Sequence, residues 1–237
     1  MKDGTDWLGV GLYTAAEASR LLGLPPAKVR RWLGGYDYVH RGKKHRADPL
    51  WSLQLPKLDG QLGLGFLDLM QLMLVARFIG EGVSLQAMRL ALVRAAEVLD
   101  QHHPFTATTF RTDGRGIFLE IADQMGEPRI YDLARRQYAF HRLVEPSFKD
   151  VDFEADVMAR WWPMGHRRLV VLDPQRSFGA PIAAVSGIPT TTLADVARGE
   201  GSSPAVTRWF PVTEREVRDA IAFEGRLAGS PIRQLAA

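Results

Sequence analysis

The chain contains no cysteine, which removes several classes of chemistry at once. Disulfide bonds, thiolate metal sites and a cysteine nucleophile are all excluded. No apolar run reaches the ~18 residues that a membrane-spanning helix requires. The opening residues, MKDGTDWLG, lack the basic region and apolar core of a signal peptide. We therefore expect a soluble, cytoplasmic protein that has no membrane partner.

Catalytic signatures are missing as well. The sequence has no HExxH motif, no glycine loop that could cradle a phosphate and no nucleophile paired with a base. Asp100, His102 and His103 are close together, but no further metal ligand follows at a diagnostic spacing. We predict neither an enzyme nor a metal or cofactor site.

The composition is that of a folded globule, with 46% hydrophobic residues in a chain of 237. This length is enough for one large domain or two to three small ones. We predict an α+β, mainly α fold with three segments. These are residues 1–103 with a winged helix-turn-helix, residues 104–165 with a small antiparallel sheet and a connector, and residues 166–237 with a three-helix, homeodomain-like unit.

The segment 13–46 carries the clearest local signals. Thr14 and Glu17 have the spacing of a capping box, which begins a helix. Gly23 suits the left-handed position that ends a helix, and Pro26 suits the first position of a second helix that runs to Leu33. Two short helices joined by a three- to four-residue turn are typical of a helix-turn-helix.

A basic run follows this pair of helices. Residues 36–40 alternate weakly like a strand, and residues 41–46 place a glycine turn among basic residues, as in the wing of a winged helix-turn-helix. Residues 28–46 contain seven Lys and Arg against one acid, Asp37, whereas the remaining chain has 23 basic and 26 acidic residues. A basic run alone is often only a solvated surface, but beside a helix-turn-helix it indicates DNA binding. The predicted DNA-binding residues are Thr14, Lys28, Arg30, Arg31, Arg41, Lys43, Lys44, His45 and Arg46.

The same residues resemble a known family. The matching pieces are Tyr13-Thr14, Ala16-Glu17-Ala18, Leu21-Leu22-Gly23-Leu24 and Val29-Arg30-Arg31-Trp32. They are similar to the N-terminal DNA-binding domain of the MerR superfamily. The resemblance implies a recognition helix in the major groove, a wing on the DNA backbone and a following helix pair to about residue 100.

Further elements are predicted from periodicity. Residues 51–55 alternate like a strand that closes the wing, and residues 66–79 and 85–99 have the pattern of helices, the first of them apolar almost all round. From residue 104 the period changes to two, which predicts strands at 105–110, 117–121, 129–133 and 137–140 and a hairpin turn at Asp113-Gly114. Residues 145–165 are interpreted as a connector.

The last third is predicted to hold a strand at 167–172 and helices at 191–198, 203–210 and 213–227. Four short motifs in this third resemble the antitoxin domain family known as domain of unknown function 433. They are Asp173-Pro174, Gly179-Ala180-Pro181-Ile182, Ser186-Gly187-Ile188-Pro189 and Trp209-Phe210-Pro211-Val212-Thr213. The family's Gly-Thr-Arg segment lacks its Arg in this sequence.

That resemblance implies the antitoxin half of a type II, VapBC-like module, which represses its own operon and binds a PIN-type ribonuclease. Its partners would be operator duplex DNA, the PIN-type toxin and a second copy of the chain. Trp209, Arg226 and Arg233 are the predicted partner-binding residues, since an inserted arginine suits an acidic, metal-dependent active site. The alternative is a MerR-like transcriptional regulator whose middle segment responds to a small ligand.

Overall fold

The computed structural model describes residues 8–57, 59–126, 128–135, 137–201 and 203–229. The fold in these ranges is α+β and mainly helical, as predicted. The helices are α1 (Ala15–Leu22), α2 (Pro26–Gly34), α3 (Phe66–Gly80), α4 (Leu85–Leu99), α5 (Phe110–Met125), α6 (Pro128–Arg135), α7 (Gln137–Lys149), α8 (Thr190–Glu200), α9 (Ser203–Val206) and α10 (Glu214–Gly229). The strands are β1 (Tyr13–Thr14), β2 (Tyr36–His40), β3 (Lys43–Ala47), β4 (Gly63–Leu64), β5 (Val151–Glu154), β6 (Val157–Trp161), β7 (Val170–Leu172) and β8 (Pro181–Ala183).

The first two helices begin and end where the local signals predict. Thr14 Oγ1 accepts a hydrogen bond from the Glu17 amide at 3.1 Å. The Glu17 carboxylate accepts one from the Thr14 amide at 2.8 Å, which completes the capping box. Gly23 ends α1 with φ at 65°. Pro26 stands at the start of α2, where its missing amide costs no helical hydrogen bond.

Strands β2 and β3 form the predicted hairpin, with Arg41 and Gly42 at its turn. Both turn residues have positive φ, at 50° and 75°, which matches the right-handed twist of the two strands. The predicted strand at 51–55 is wrong, because this stretch bonds to the start of α3 instead: Trp51 Nε1 and the Gln54 amide both donate to Asp68. The strand that follows this stretch is β4, and it pairs antiparallel with β1.

Helix α3 is the centre of the main core, with eleven of its residues buried. The hydrophobic cluster around it extends from Tyr13 to Leu172, so the first two predicted segments share one core. His103 lies within hydrogen-bonding distance of Asp68, at 2.8 Å, and thereby joins the network at the start of α3. The described residues contain no group of three or more His, Cys, Asp or Glu placed to hold a metal ion.

The described residues between 104 and 149 are mainly helical, and this overturns the sheet that periodicity predicts there. The predicted strand at 105–110 is wrong, because a short 3₁₀ turn at Pro104–Thr106 leads into α5 there. The predicted strands at 117–121, 129–133 and 137–140 lie inside α5, α6 and α7. The residues Asp113-Gly114 stand inside α5 instead of forming a turn. The physical reason is aromatic packing: the rings of Phe78, Phe105, Phe110, Phe118 and Phe140 pack into one cluster.

The predicted connector at 145–165 is also wrong, since it holds the end of α7 and the hairpin β5–β6. The hairpin belongs to a four-stranded antiparallel sheet in the order β5-β6-β7-β8. Trp162 Nε1 donates to Asp152 at 2.9 Å, and the Phe148 and Phe153 rings stack at 5.5 Å, which holds the hairpin against the core. The sheet therefore lies later in the chain than predicted.

The three C-terminal helices are present, although the second ends at Val206 rather than at residue 210. Thr213 and Glu216 form the predicted capping box at the start of α10. Buried acids on α10 hold the preceding loops: Asp219 accepts from Arg168 at 2.7 Å and from the Leu169 amide at 3.0 Å. Tyr13 Oη donates to the Gly179 carbonyl at 2.7 Å and connects this region to β1. Burial raises the pKa of Tyr13 far above its usual range, so the hydroxyl remains a donor at any ordinary pH.

The homeodomain-like character of the C-terminal helices remains a prediction. The boundaries between the three predicted segments, after residues 103 and 165, also remain predictions. In the ranges that the structure describes, every helix is too short or too polar to cross a membrane.

Candidate nucleic-acid interface

Helix α2 has one side in the core and one side in solvent. Val29, Trp32 and Leu33 are buried, and the exposed side carries Arg30 and Arg31. Lys28 is half-buried, with its ammonium 5.5 Å from the centre of the Trp32 ring. The predicted recognition helix therefore presents its arginines to solvent rather than to the interior.

The hairpin β2–β3 extends from the end of α2, and every residue from Asp37 to Arg46 is exposed. Because side chains alternate across a strand, the hairpin has two faces of different composition. The cross-strand pairs Tyr38–His45 and His40–Lys43, with Tyr36, form what we call the aromatic face. The pairs Asp37–Arg46 and Val39–Lys44 form what we call the charged face.

Ring contacts confirm that the aromatic face is continuous. Tyr36 and Tyr38 have ring centres 5.8 Å apart, and Tyr38 stacks on His45 at 5.4 Å. His40 meets His45 at 6.2 Å. The Arg31 guanidinium lies 3.8 Å from the centre of the Tyr36 ring, which is close enough for a cation–π contact and connects this row to α2.

The predicted cations differ in how far the protein already neutralises them. Arg46 has an ion pair with Asp37 at 3.4 Å, with both side chains largely exposed, so the pair adds little stability. Within the described ranges no hydrogen bond or ion pair engages the side chains of Arg30, Arg41, Lys43 and Lys44. These four charges are free to neutralise an external anion.

Thr14 has a structural role already, because its hydroxyl both accepts from the Glu17 amide and donates to the Glu17 carboxylate at 2.8 Å. A phosphate at this position would have to compete with that carboxylate. Its assignment to DNA stays a prediction. Tyr36, Tyr38 and His40, by contrast, are exposed or half-exposed beside the cations and were absent from the predicted set. Their spacing at every second position, directly before the basic run, is the sequence signal that could have suggested them.

The predicted partner-binding residues lie far from this surface in sequence. Trp209 has 68% of its surface exposed, which is unusual for a tryptophan in a folded chain. Arg226 donates to the Pro163 carbonyl at 2.9 Å and lies near the Phe223 ring, so it already has intramolecular contacts. Arg233 lies outside the described residues.

Arginines of α10, and Arg168 before β7, have partners within the chain. Arg218 pairs with Glu214 at 3.2 Å, Arg215 donates to the Arg167 carbonyl at 2.6 Å, and Arg168 pairs with the buried Asp219. These interactions leave less unneutralised charge than α2 and the hairpin carry. The candidate nucleic-acid interface is therefore the N-terminal one.

Comparison with known proteins agrees with this location. Residues 11–92 match a family described as "Putative DNA-binding HTH domain". That range contains α2, the hairpin and all nine predicted DNA-binding residues. Helix-turn-helix DNA binding is thus supported by both the family match and the exposed charge.

Similarity also extends over most of the chain. A curated protein of Mycobacterium tuberculosis (strain ATCC 25618 / H37Rv), named "Putative antitoxin VapB45", is 27% identical over 223 residues, covering 90% of this chain and 93% of its own length. The crystal structure of Rv2018 from Mycobacterium tuberculosis is similar with a TM-score of 0.70 and 27% identity, covering 90% of this chain and 99% of that one. The chain is therefore similar over 90% of its length to a protein named as a putative antitoxin.

Proposed function

We propose that the chain is a DNA-binding antitoxin of a type II, VapBC-like module. It binds operator DNA in the cytoplasm as a homodimer, represses its own operon and neutralises a PIN-type ribonuclease by direct binding. The observation that carries the proposal is the unneutralised cationic surface of α2 and the hairpin, within a segment that matches a DNA-binding family. Similarity to a named antitoxin over 90% of the chain supports the proposed role in toxin neutralisation.

In this proposal α2 is the recognition helix and the hairpin is the wing of a MerR-like winged helix-turn-helix. Arg30 and Arg31 lie on the exposed side of α2, where a recognition helix meets base edges and the rim of the major groove. The cations on the side of the hairpin that meets the duplex then hold phosphates, which fixes the position of the protein but carries no sequence information. Two copies would place two such helices on half-sites about one helical turn apart.

Salt dependence tests the DNA half directly. A dimer that neutralises ~8 phosphates should lose affinity with rising salt, and a plot of log affinity against log salt should have a slope near −7. The measurement is fluorescence anisotropy with a 30-base-pair duplex taken from upstream of the chain's own reading frame. A slope near zero, or no binding at low salt, would contradict the proposal.

The toxin half is tested through Trp209. Exposed aromatic residues are frequent hot spots of protein interfaces, so Trp209→Ala should weaken the complex with the PIN-type protein encoded beside this chain by roughly 30-fold or more. Calorimetry of the purified pair measures the affinity. Phe178→Ala is the matched control, because Phe178 is an aromatic residue of similar exposure, 64%, in the same third of the chain. Equal losses in both variants, or none in either, would remove Trp209 from the interface.

A further inference from the structure

The two faces of the hairpin point in opposite directions, so a duplex that lies against one face leaves the other largely uncovered. Residues adjacent in β2 or β3 point to opposite sides, so Tyr38 and Lys43 are on one face and Val39 and Lys44 on the other. The basic run in the sequence makes no distinction between these residues. The structure does, because only one face is continuous with the exposed side of α2.

Continuity with α2 identifies the face. The Arg31 guanidinium, on the exposed side of α2, packs over Tyr36 at 3.8 Å, and Tyr36 begins the row that continues through Tyr38 to His45. A duplex that meets the arginines of α2 would therefore meet the aromatic face next. In the described ranges no hydrogen bond, ion pair or ring contact joins the charged face to α2.

The absence of a carboxylate and the ring chemistry favour the same side. The aromatic face contains Lys43, two imidazoles and two phenols but no carboxylate, whereas the charged face contains Asp37, which already neutralises Arg46. Phenol and imidazole groups can donate hydrogen bonds to phosphate oxygens, and their rings can pack on deoxyribose. Tyr38 is 44% exposed, so its ring is accessible for such packing without rearrangement.

We propose that the hairpin meets duplex DNA with its aromatic face: Tyr38 and His45 pack on the sugar-phosphate backbone, Lys43 holds a phosphate, and Lys44 and Arg46 point away from that contact. This inference rests on the proposed DNA-binding function and specifies the side chains that perform it.

Neighbouring residues on opposite faces provide two matched pairs of variants for the test. Tyr38→Ala should weaken binding to the 30-base-pair duplex by roughly tenfold and leave the salt slope unchanged, since the lost contact is not ionic. Val39→Ala is the control on the charged face; Val39 is more exposed, at 67%, and we expect less than a twofold change.

The second pair tests the ionic contact. Lys43→Ala should make the slope less steep by about 0.9 for each protomer bound and weaken binding at least tenfold at ~0.1 M salt. Lys44→Ala removes the same charge from the next residue and should change the slope by less than half as much. Tyr38→Leu, which keeps apolar area across from His45, separates loss of the ring from loss of hairpin structure if Tyr38→Ala melts early.

Failure of the proposed DNA-binding function and failure of the aromatic-face assignment give different results. If the wild-type chain does not bind the duplex at any salt, the proposed function fails and the variants are uninformative about DNA. If the wild type binds but Val39→Ala and Lys44→Ala weaken binding as much as their partners, or more, the assignment of the aromatic face is overturned. Tyr38→Leu binding with wild-type affinity would overturn the role of the ring.

Discussion

Replacing Asp68 with alanine is expected to destabilise the protein by about 3–5 kcal/mol, because four donors lose their acceptor in the interior. Oδ1 accepts from Trp51 Nε1 at 2.9 Å and is 2.8 Å from His103 Nε2. Oδ2 accepts from the amides of Gln54 at 3.0 Å and Gly65 at 2.9 Å. Asp68 is fully buried, so water cannot replace these bonds without opening the core.

The loss would spread beyond Asp68 because this carboxylate holds three segments on one helix. It caps the start of α3, anchors the stretch that follows the hairpin and contacts the segment that precedes α5. Since the total stability of a domain is typically ~5–15 kcal/mol, the variant should be partly unfolded at moderate temperature.

Urea unfolding followed by circular dichroism measures the change in midpoint. Asp123→Ala is the control, because Asp123 is an exposed aspartate on α5, and it should change stability by less than about 0.5 kcal/mol. Asp68→Asn should also destabilise the protein, since the NH₂ group of the asparagine would face hydrogen-bond donors from which it cannot accept. A midpoint that matches Asp123→Ala would show that the network contributes little.

Local signals explain why the N-terminal elements could be predicted from the sequence. A capping box, a left-handed glycine and a helix-starting proline act within a few residues, and each is present at Thr14, Gly23 and Pro26 as expected. The cationic patch could likewise be located by counting charge in a short window. Neither inference depends on which distant residues come together.

Elements whose conformation depends on distant partners were predicted wrongly. Gly114 suggests a turn in sequence, but it stands inside α5, whose Phe110 and Phe118 rings pack against Phe78 of α3. The stretch 51–55 alternates like a strand, yet Trp51 and Gln54 bond to the start of α3. Tertiary contacts outweighed local periodicity in both places.

The candidate site likewise has a part that local sequence signals reveal and a part that depends on tertiary structure. The charges of residues 28–46 are visible in the sequence, but the aromatic face is not, because it requires the register that pairs Tyr38 with His45 and the packing of Arg31 on Tyr36. A one-residue change in register would mix the two faces. The sequence therefore locates the candidate interface, and the structure separates its two faces.

Removing both exposed arginines of α2 is expected to have the largest effect on DNA binding. In a dimer, Arg30→Ala with Arg31→Ala removes four cationic groups from the proposed interface. If each neutralises one phosphate, affinity at ~0.1 M salt should fall by roughly 10³-fold or more, and the salt slope should change from near −7 to about −3.5. Direct contacts to base edges would add about 1–3 kcal/mol for each bidentate pair lost.

Stability should hardly change, because both side chains are exposed and the buried side of α2 remains intact. The matched control is Lys149→Ala with Arg208→Ala, which lowers the net charge equally at exposed positions outside residues 28–46. Anisotropy with the 30-base-pair duplex should show less than a threefold change for this control. Equal losses in the two double variants would mean that overall charge, rather than the surface of α2, attracts the DNA. A large loss in the α2 variant alone, with binding of the PIN-type protein preserved, would separate the two proposed activities along the chain.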